Sequence, residues 1–188
     1  MPTETRLINA RRLELVDGDI TTQGVDAIAN AANAALRGGG GVDGAIHQAA
    51  GPELLDELRQ RYPEGTPTGT AVATDAYRLP HRWVLHAVGP VWRGGSQGEP
   101  ELLADAYRSC LRLCDELGAR SAAFPAISMG IYGYPAAEGA EVALRVVSDH
   151  LNGETSLEVA RFVLFSAETY RTFAAALAGS APEELPPG

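Results

Sequence analysis

The sequence predicts one α/β domain, because short β-rich stretches alternate with longer amphipathic ones and no internal repeat or Ser/Gly-rich linker divides them. The chain has 188 residues, 45% of them hydrophobic, which is enough to bury one core without disulfides or metals. We therefore expect a single domain over residues 1–178. Residues 179–188 contain three prolines and two glutamates and almost no large apolar side chains, so a disordered tail is expected there.

The period of the apolar residues predicts the individual elements. Strands are expected at Thr5–Asn9, Arg12–Asp17, Ala27–Ala32, Thr70–Ala76, Trp83–Val88, Ser121–Pro125 and Arg161–Phe165. Helices are expected at Asp43–Arg61, Pro100–Leu117, Ala136–Leu151 and Glu168–Leu177. Gly, Pro and Asn residues cluster directly after several of the strands, and ligands of open α/β sheets bind beyond the carboxyl ends of strands. One rim of the sheet is therefore expected to carry the functional loops.

Charge and cysteine content argue against several classes of protein. A formal net charge of -9 does not fit a nucleic-acid surface, which needs clustered Lys and Arg. No apolar run approaches the roughly 20 residues of a membrane span, and the N-terminus lacks the pattern of a signal peptide. Cys110 and Cys114 lie four residues apart in a predicted helix, which favours two buried thiols over a disulfide. We expect a cytoplasmic protein with no membrane partner.

The strongest local pattern is Asn30-Ala-Ala-Asn33 followed by the glycine run that we call the first glycine loop, Gly38–Gly44. Four consecutive glycines carry a high entropic cost, so they indicate a backbone that must approach a ligand closely. A flexible surface loop is the structural alternative. The loop also contains G-x-G-x-x-G, which raises a dinucleotide-binding oxidoreductase as another alternative, but that motif normally follows the first strand and here it follows the third.

A second glycine loop, Ile127–Pro135, lies between an apolar strand and a helix. Its serine, two glycines and consecutive amides are typical of a site that holds a diphosphate at a helix N-terminus. An ordinary strand-to-helix turn is the alternative. Two such loops on one rim favour an anion site that needs no net positive charge.

Asp19 and Phe165 each allow two interpretations. Asp19 either accepts a hydrogen bond from an adenine amino group or caps a turn. Phe165 is either a core residue or a stacking platform for a base. The four histidines and two cysteines show no metal-ligand spacing, so no metal site is predicted, and His47 and His86 are interpreted as buried structural histidines.

Several segments, in order from about Leu13 to about Tyr170, resemble the macrodomain family and most closely its MacroD-type hydrolases. These segments are Gly18-Asp19-Ile20-Thr21, Val25-Asp26-Ala27-Ile28, Asn30-Ala-Ala-Asn33, the first glycine loop with Ala45-Ile46-His47, Pro67-Thr68-Gly69, His86-Ala87-Val88-Gly89-Pro90 and Pro125–Gly133. The resemblance implies a three-layer α/β/α sandwich around a central mixed sheet, with ADP-ribose lying across the strand ends.

The resemblance also implies roles for individual residues. Catalysis is assigned to Asn33, which binds distal-ribose hydroxyls, and to Asp43, the acid beside the anomeric carbon. Cap formation at the following helix is the structural alternative for Asp43. ADP-ribose binding is assigned to Asp19 (adenine amino group), Ile20, Asn33, Gly40, Gly41, Val42, Ser128, Met129, Gly130, Ile131, Tyr132 and Phe165 (adenine stacking). Arg37 and Met129 depart from residues common in the family, which bears on the choice of substrate.

The function implied is a metal-independent hydrolase that removes mono-ADP-ribose from Asp and Glu side chains of proteins by attack of water at the distal-ribose linkage. Its expected partners are ADP-ribose and mono-ADP-ribosylated proteins; no cofactor is expected, and the protein is predicted to be a monomer. Two alternatives use the same pocket. One is a non-catalytic ADP-ribose reader, and the other is a deacetylase of O-acetyl-ADP-ribose, whose ester is chemically similar to the protein linkage.

Overall fold

The computed structural model describes residues 3–180. Its strands are β1 Thr3–Ile8, β2 Arg11–Asp17, β3 Ala27–Ala31, β4 Ala71–Asp75, β5 Trp83–Ala87, β6 Ser121–Phe124 and β7 Val159–Leu164. Its helices are α1 Gly41–Ala50, α2 Glu53–Arg61, α3 Glu99–Leu117, α4 Ala136–Asn152 and α5 Ala167–Gly179. All seven predicted strands are confirmed. Most of the predicted tail lies outside the described residues, apart from Gly179, which ends α5, and Ser180.

The predicted helix Asp43–Arg61 is wrong, because two helices occupy this segment. Gly51 interrupts them with a φ of 91°, a left-handed conformation that glycine adopts readily. Its N–H bonds to the carbonyl oxygen of His47 and closes α1. Pro52 follows, and a proline cannot donate the N–H that would continue the helix. The Gly-Pro pair thus allows α2 to begin in a new direction.

The strands form one mixed sheet in the order β1-β2-β7-β6-β3-β5-β4. The five inner strands, β2, β7, β6, β3 and β5, run parallel to one another, and the two edge strands run antiparallel to their neighbours. The carboxyl ends of the five parallel strands therefore meet at one edge. The loops that follow those strands lie together there, as the sequence predicts.

Side chains of each inner strand alternate between the two faces of the sheet. Leu85, Ala122 and Phe162 belong to a large apolar cluster on the face covered by α3, α4 and α5. The adjacent residues Val84, Ala123 and Val163 belong to a second cluster with Ile46 of α1 and Leu54 of α2 on the opposite face. The predicted three-layer α/β/α sandwich is confirmed. Cys110 and Cys114 are free, buried thiols in the first cluster, also as predicted.

Candidate functional site

A cleft of about 640 Å³ lies at the carboxyl ends of the parallel strands. Loops that follow β2, β3, β5, β6 and β7 line it. Every residue to which the sequence assigns a binding or catalytic role lines this cleft: Asp19, Ile20, Asn33, Gly40, Gly41, Val42, Asp43, Ser128, Met129, Gly130, Ile131, Tyr132 and Phe165. The fold thus brings all of them to one place, and their roles toward a ligand remain predictions.

The first glycine loop leads directly into α1 at one side of the cleft. Gly38 and Gly41 have φ values of 84° and 59°. Gly44 must lack a side chain, because a Cβ there would lie 2.6 Å from the carbonyl oxygen of Gly39. The first-turn N–H groups of a helix have no partners within the helix, and an anion is a favourable partner for them. This side of the cleft is therefore suited to bind a phosphate.

Asn33 is tied into the same loop. Its Nδ2 donates to the carbonyl oxygen of Gly38 at 2.8 Å, and its Oδ1 accepts from the N–H of Arg37 at 3.4 Å. Arg37 itself is exposed and donates to the carbonyl oxygen of Pro63 at 2.9 Å. The Asn33 side chain therefore also shapes the loop, so a change at this position affects both the loop and any ligand there.

Asp43 is the third residue of α1, and only 5% of it is exposed. The cap position belongs to Gly40, so the interpretation of Asp43 as a helix cap is wrong. Its Oδ1 accepts a hydrogen bond from Asn30 Nδ2 at 2.7 Å and lies 3.3 Å from His47 Nε2. Its Oδ2 lies beside Gly39, where a Cβ would come within 3.3 Å of it. One carboxylate oxygen is thus held from the interior, while the other adjoins the first glycine loop.

The two histidines predicted as structural differ from each other. His86 is fully buried, as predicted, and burial lowers its pKa to about 3, with the neighbouring His47 acting in the same direction and Asp43 against it. Its Nδ1 lies 3.2 Å from Asn30 Nδ2, and its Nε2 lies 3.0 Å from Thr74 Oγ1. His47 is less buried, with 16% of its side chain exposed, and it contacts the carboxylate of Asp43. Neither Asn30 nor Thr74 has a site role predicted from the sequence.

The second glycine loop follows β6, the strand next to β3, and also lines the cleft. Ser128 has a φ of 67°, and its hydroxyl is buried and has no hydrogen-bond partner among the described residues. A Cβ at Gly89 would lie 2.1 Å from Ser128 Oγ, so this glycine is what allows Ser128 to pack there. The thioether of Met129 packs against Gly139 of α4. The hydroxyl of Ser128 therefore faces Gly89, and within the described chain it leaves a buried polar atom without a hydrogen bond at the edge of the cleft.

A clamp behind this loop fixes its position. The buried carboxylate of Glu99 accepts hydrogen bonds from the N–H groups of Gly95 and Gln97, both at 2.6 Å, and of Arg93 at 3.1 Å. Trp92 at the start of the clamped segment donates its N–H to the carbonyl oxygen of Tyr132 at 2.8 Å. Desolvation raises the pKa of Glu99, but the backbone donors outweigh it and the pKa is lowered.

Two large apolar side chains at the cleft are almost completely exposed. Phe165, directly after β7, is 89% exposed, and Ile131 is 90% exposed. The interpretation of Phe165 as a core residue is therefore wrong. Asp19 caps the short 3-10 helix Ile20–Thr22, where its Oδ1 accepts from the N–H of Thr21 at 2.8 Å. The turn-capping role of Asp19 is thus confirmed, and its exposed carboxylate still lines the cleft.

The electrostatics of the cleft are unusual for an anion site. Among residues 3–180, the charged side chains that line it are those of Asp19 and Asp43, and none is an arginine or a histidine. Any phosphate bound here is held by backbone N–H groups and hydroxyls.

Two further features are absent from residues 3–180. No group of three or more His, Cys, Asp or Glu side chains in this range is arranged to hold a metal ion, and no helix in it is long and apolar enough to cross a membrane.

The chain belongs to the macrodomain family: the Macro domain matches residues 29–143. It is 56% identical over 166 residues to the O-acetyl-ADP-ribose deacetylase of Salmonella gallinarum, covering 87% of this chain and 92% of that protein. A macro domain-containing protein of Streptomyces griseus is 55% identical over 172 residues, with 88% and 94% covered. The predicted resemblance to the family is thus confirmed.

Solved structures agree with this assignment. The macrodomain of Oceanobacillus iheyensis with ADP superposes with a TM-score of 0.90 at 42% identity, covering 95% of this chain and 96% of that one. The Trypanosoma brucei macrodomain in complex with ADP-ribose superposes with a TM-score of 0.81 at 40% identity, covering 88% and 68%.

Proposed function

We propose that this protein binds ADP-ribose and hydrolyses esters of its distal ribose, with O-acetyl-ADP-ribose as the substrate. The observation that carries the proposal is the buried carboxylate of Asp43, which has one oxygen fixed by Asn30 and stands beside the first glycine loop in the cleft. The relative in Salmonella gallinarum, named an O-acetyl-ADP-ribose deacetylase, supports the choice of substrate.

The proposed ligand lies along the cleft from Phe165 to Asp43. Adenine stacks on the exposed ring of Phe165, with its amino group toward Asp19. The diphosphate lies between the two glycine loops and accepts hydrogen bonds from their N–H groups. The distal ribose then reaches Asn33, and its ester lies next to Asp43.

The proposed reaction adds one water molecule across the ester. Asp43 accepts a proton from the water, whose oxygen attacks the acyl carbon of the ester. The bond between the acyl carbon and the ribose oxygen breaks, the ribose oxygen keeps the electron pair and takes the proton from Asp43, and the products are the free acid and ADP-ribose. Binding of the diphosphate and ribose at fixed positions holds the ester near the water, which lowers the entropic part of the barrier. No covalent intermediate with a side chain is needed.

A second candidate substrate is mono-ADP-ribose attached to Asp or Glu side chains of proteins. The linkage is again an ester of the distal ribose, so the same groups can act on it. The observation that favours it is the exposure of Gly39, Gly40 and Gly41, because this leaves the Asp43 end of the cleft open to an acyl group that belongs to a protein.

The test is hydrolysis of both esters by the parent protein and by Asp43→Asn. We expect the parent to release acetate from O-acetyl-ADP-ribose, and the ratio of kcat/KM values for the two esters then ranks the substrates. Calorimetric titration with ADP-ribose runs in parallel. ADP-ribose binding without turnover of either ester would identify a reader and refute the hydrolase proposal, and absence of binding at millimolar ADP-ribose would refute the whole assignment.

A further inference from the structure

Four buried side chains form a continuous hydrogen-bonded chain that runs across three strands to the cleft. Thr74 Oγ1 on β4 lies 3.0 Å from His86 Nε2 on β5. His86 Nδ1 lies 3.2 Å from Asn30 Nδ2 on β3, and Asn30 Nδ2 lies 2.7 Å from Asp43 Oδ1 on α1. Thr74, His86 and Asn30 do not line the cleft, and each is buried. We call these three residues the relay.

The hydrogen bonds of Thr74 determine which atom of each pair in the relay is the donor. Thr74 Oγ1 donates its only proton to the carbonyl oxygen of Asp75 at 3.0 Å, so it accepts a hydrogen bond from His86 Nε2–H. A neutral imidazole carries one proton, which leaves Nδ1 as an acceptor for Asn30 Nδ2–H. The second proton of that amide is donated to Asp43 Oδ1. Every donor of the relay therefore has an acceptor, and one N–H of Asn30 is the donor that holds the carboxylate of Asp43.

The orientation of the Asn30 amide leaves one of its polar atoms without a hydrogen bond to the rest of the described chain. Its Oδ1 is buried and has no hydrogen-bond partner in the described structure. Rotation of the amide by 180° would place this oxygen against Asp43 Oδ1. Two acceptors would then face each other, which is unfavourable. A buried acceptor without a partner is rare in native proteins and calls for a functional explanation. Here the amide gives both Nδ2 protons to fixed partners.

We infer that Thr74, His86 and Asn30 are positioning residues that set the orientation of the Asp43 carboxylate. The relay holds Oδ1 from the interior of the sheet, so that Oδ2 is the oxygen beside Gly39 and the cleft. A general base acts well only when it is held in the productive geometry, and displacement by 1 Å can reduce a rate by about 100-fold. This inference rests on the proposed esterase function, because it assigns a role in that reaction.

The test uses Thr74, since it is the relay member farthest from the cleft. Thr74→Val removes the hydroxyl and keeps the shape, and we expect kcat on O-acetyl-ADP-ribose to fall by about 5- to 100-fold while KM and the Kd for ADP-ribose stay within about twofold. Thr74→Ser keeps the hydroxyl and should restore most of kcat. Ser109→Ala is the matched control, because it removes another buried hydroxyl, bonded to the carbonyl oxygen of Gly69, that has no contact with the relay. An unchanged kcat in folded Thr74→Val would overturn the inference, and so would an equal loss in Ser109→Ala.

A second measurement keeps failure of the inference separate from failure of the proposed function. Nitrogen-15 NMR of the imidazole of His86 near pH 7 reports which nitrogen carries the proton, with or without any enzyme activity. We expect the Nε2–H form in the parent and loss of that preference in Thr74→Val. The Nδ1–H form in the parent would overturn the relay even if the protein is an active esterase. If the parent hydrolyses neither ester, the proposed function fails, and a positioning role in it fails too.

Discussion

Acidification should destabilise this fold through His86. In the native state burial keeps the imidazole neutral and lowers its pKa from 6.5 to about 3, whereas the unfolded chain protonates it near the ordinary value. Between these two values the unfolded state binds more protons than the folded state. The free energy of unfolding must therefore fall as the pH decreases from about 6.5 toward about 3.

The size of the effect follows from the shift. Each pKa unit corresponds to about 1.4 kcal/mol, so at about pH 5 the loss due to His86 is roughly 2 kcal/mol, and it approaches about 4 kcal/mol near pH 3. A loss of 2 kcal/mol is a large part of the roughly 5–15 kcal/mol by which a native domain is stable. Asp and Glu carboxyls begin to titrate below about pH 5, so the window from about pH 5 to about pH 7 isolates the histidines.

Urea unfolding of the parent and of His86→Gln across this window measures the effect. Glutamine can accept from Asn30 and donate to Thr74, so the variant keeps both neighbours hydrogen-bonded while it removes the titrating ring. The stability of the parent relative to the variant should decrease by roughly 2 kcal/mol between about pH 7 and about pH 5. Parallel curves, with a constant difference over the whole window, would show that His86 does not titrate abnormally and would refute the reasoning.

Four further changes test the site. Asp43→Asn still accepts a hydrogen bond from Asn30, so it should fold and bind ADP-ribose but lose about 10²–10⁴-fold in kcat; a fully active folded variant contradicts the role as a base. Phe165→Ala should weaken ADP-ribose binding by roughly 1–3 kcal/mol in calorimetry and leave Tm unchanged, because the ring is exposed; equal affinity would exclude base stacking. Glu99→Gln should weaken ADP-ribose binding and shift the fluorescence of Trp92 by loosening the clamp, and unchanged binding would show that the second glycine loop is rigid without it. EDTA should leave the ester hydrolysis rate unchanged, since the chain offers no metal-ligand spacing; a rate restored only by magnesium would place the protein in a different mechanistic class.

Much of the rim of the sheet could be predicted from the sequence, because the residues of each of its loops are contiguous in the chain. The first glycine loop and the second each carry their own pattern of glycine, amide and hydroxyl groups, and each follows an apolar strand, so their meeting at one edge follows from a parallel sheet. The break between α1 and α2 coincides with Gly51-Pro52, but the apolar period continues across this pair and therefore predicts a single helix.

The relay could not be predicted in the same way. Asn30 and His86 face each other because β3 pairs with β5, and Thr74 lies diagonally from His86 because β4 pairs with β5 in the register that places Val72 opposite His86. Nothing in the spacing of these residues along the chain reveals that β5 lies between β3 and β4. The same limit applies to Phe165, because an aromatic residue after a strand fits a core or a surface equally well until its neighbours are known.

The lack of cationic side chains along the cleft, within the described part of the chain, has a consequence for inhibitor design. Where Lys or Arg holds a phosphate, a neutral replacement sacrifices the charge-assisted hydrogen bonds that account for much of the affinity. Here a neutral linker with the same acceptor oxygens, such as a disulfonyl group, would meet the same backbone N–H groups and give up no ion pair. It would also avoid the repulsion between a dianion and a chain whose formal net charge is -9. An uncharged analogue of ADP-ribose would therefore lose the part of the affinity that the helix N-terminus gives to a negative charge, but it would lose no ion pair with a side chain.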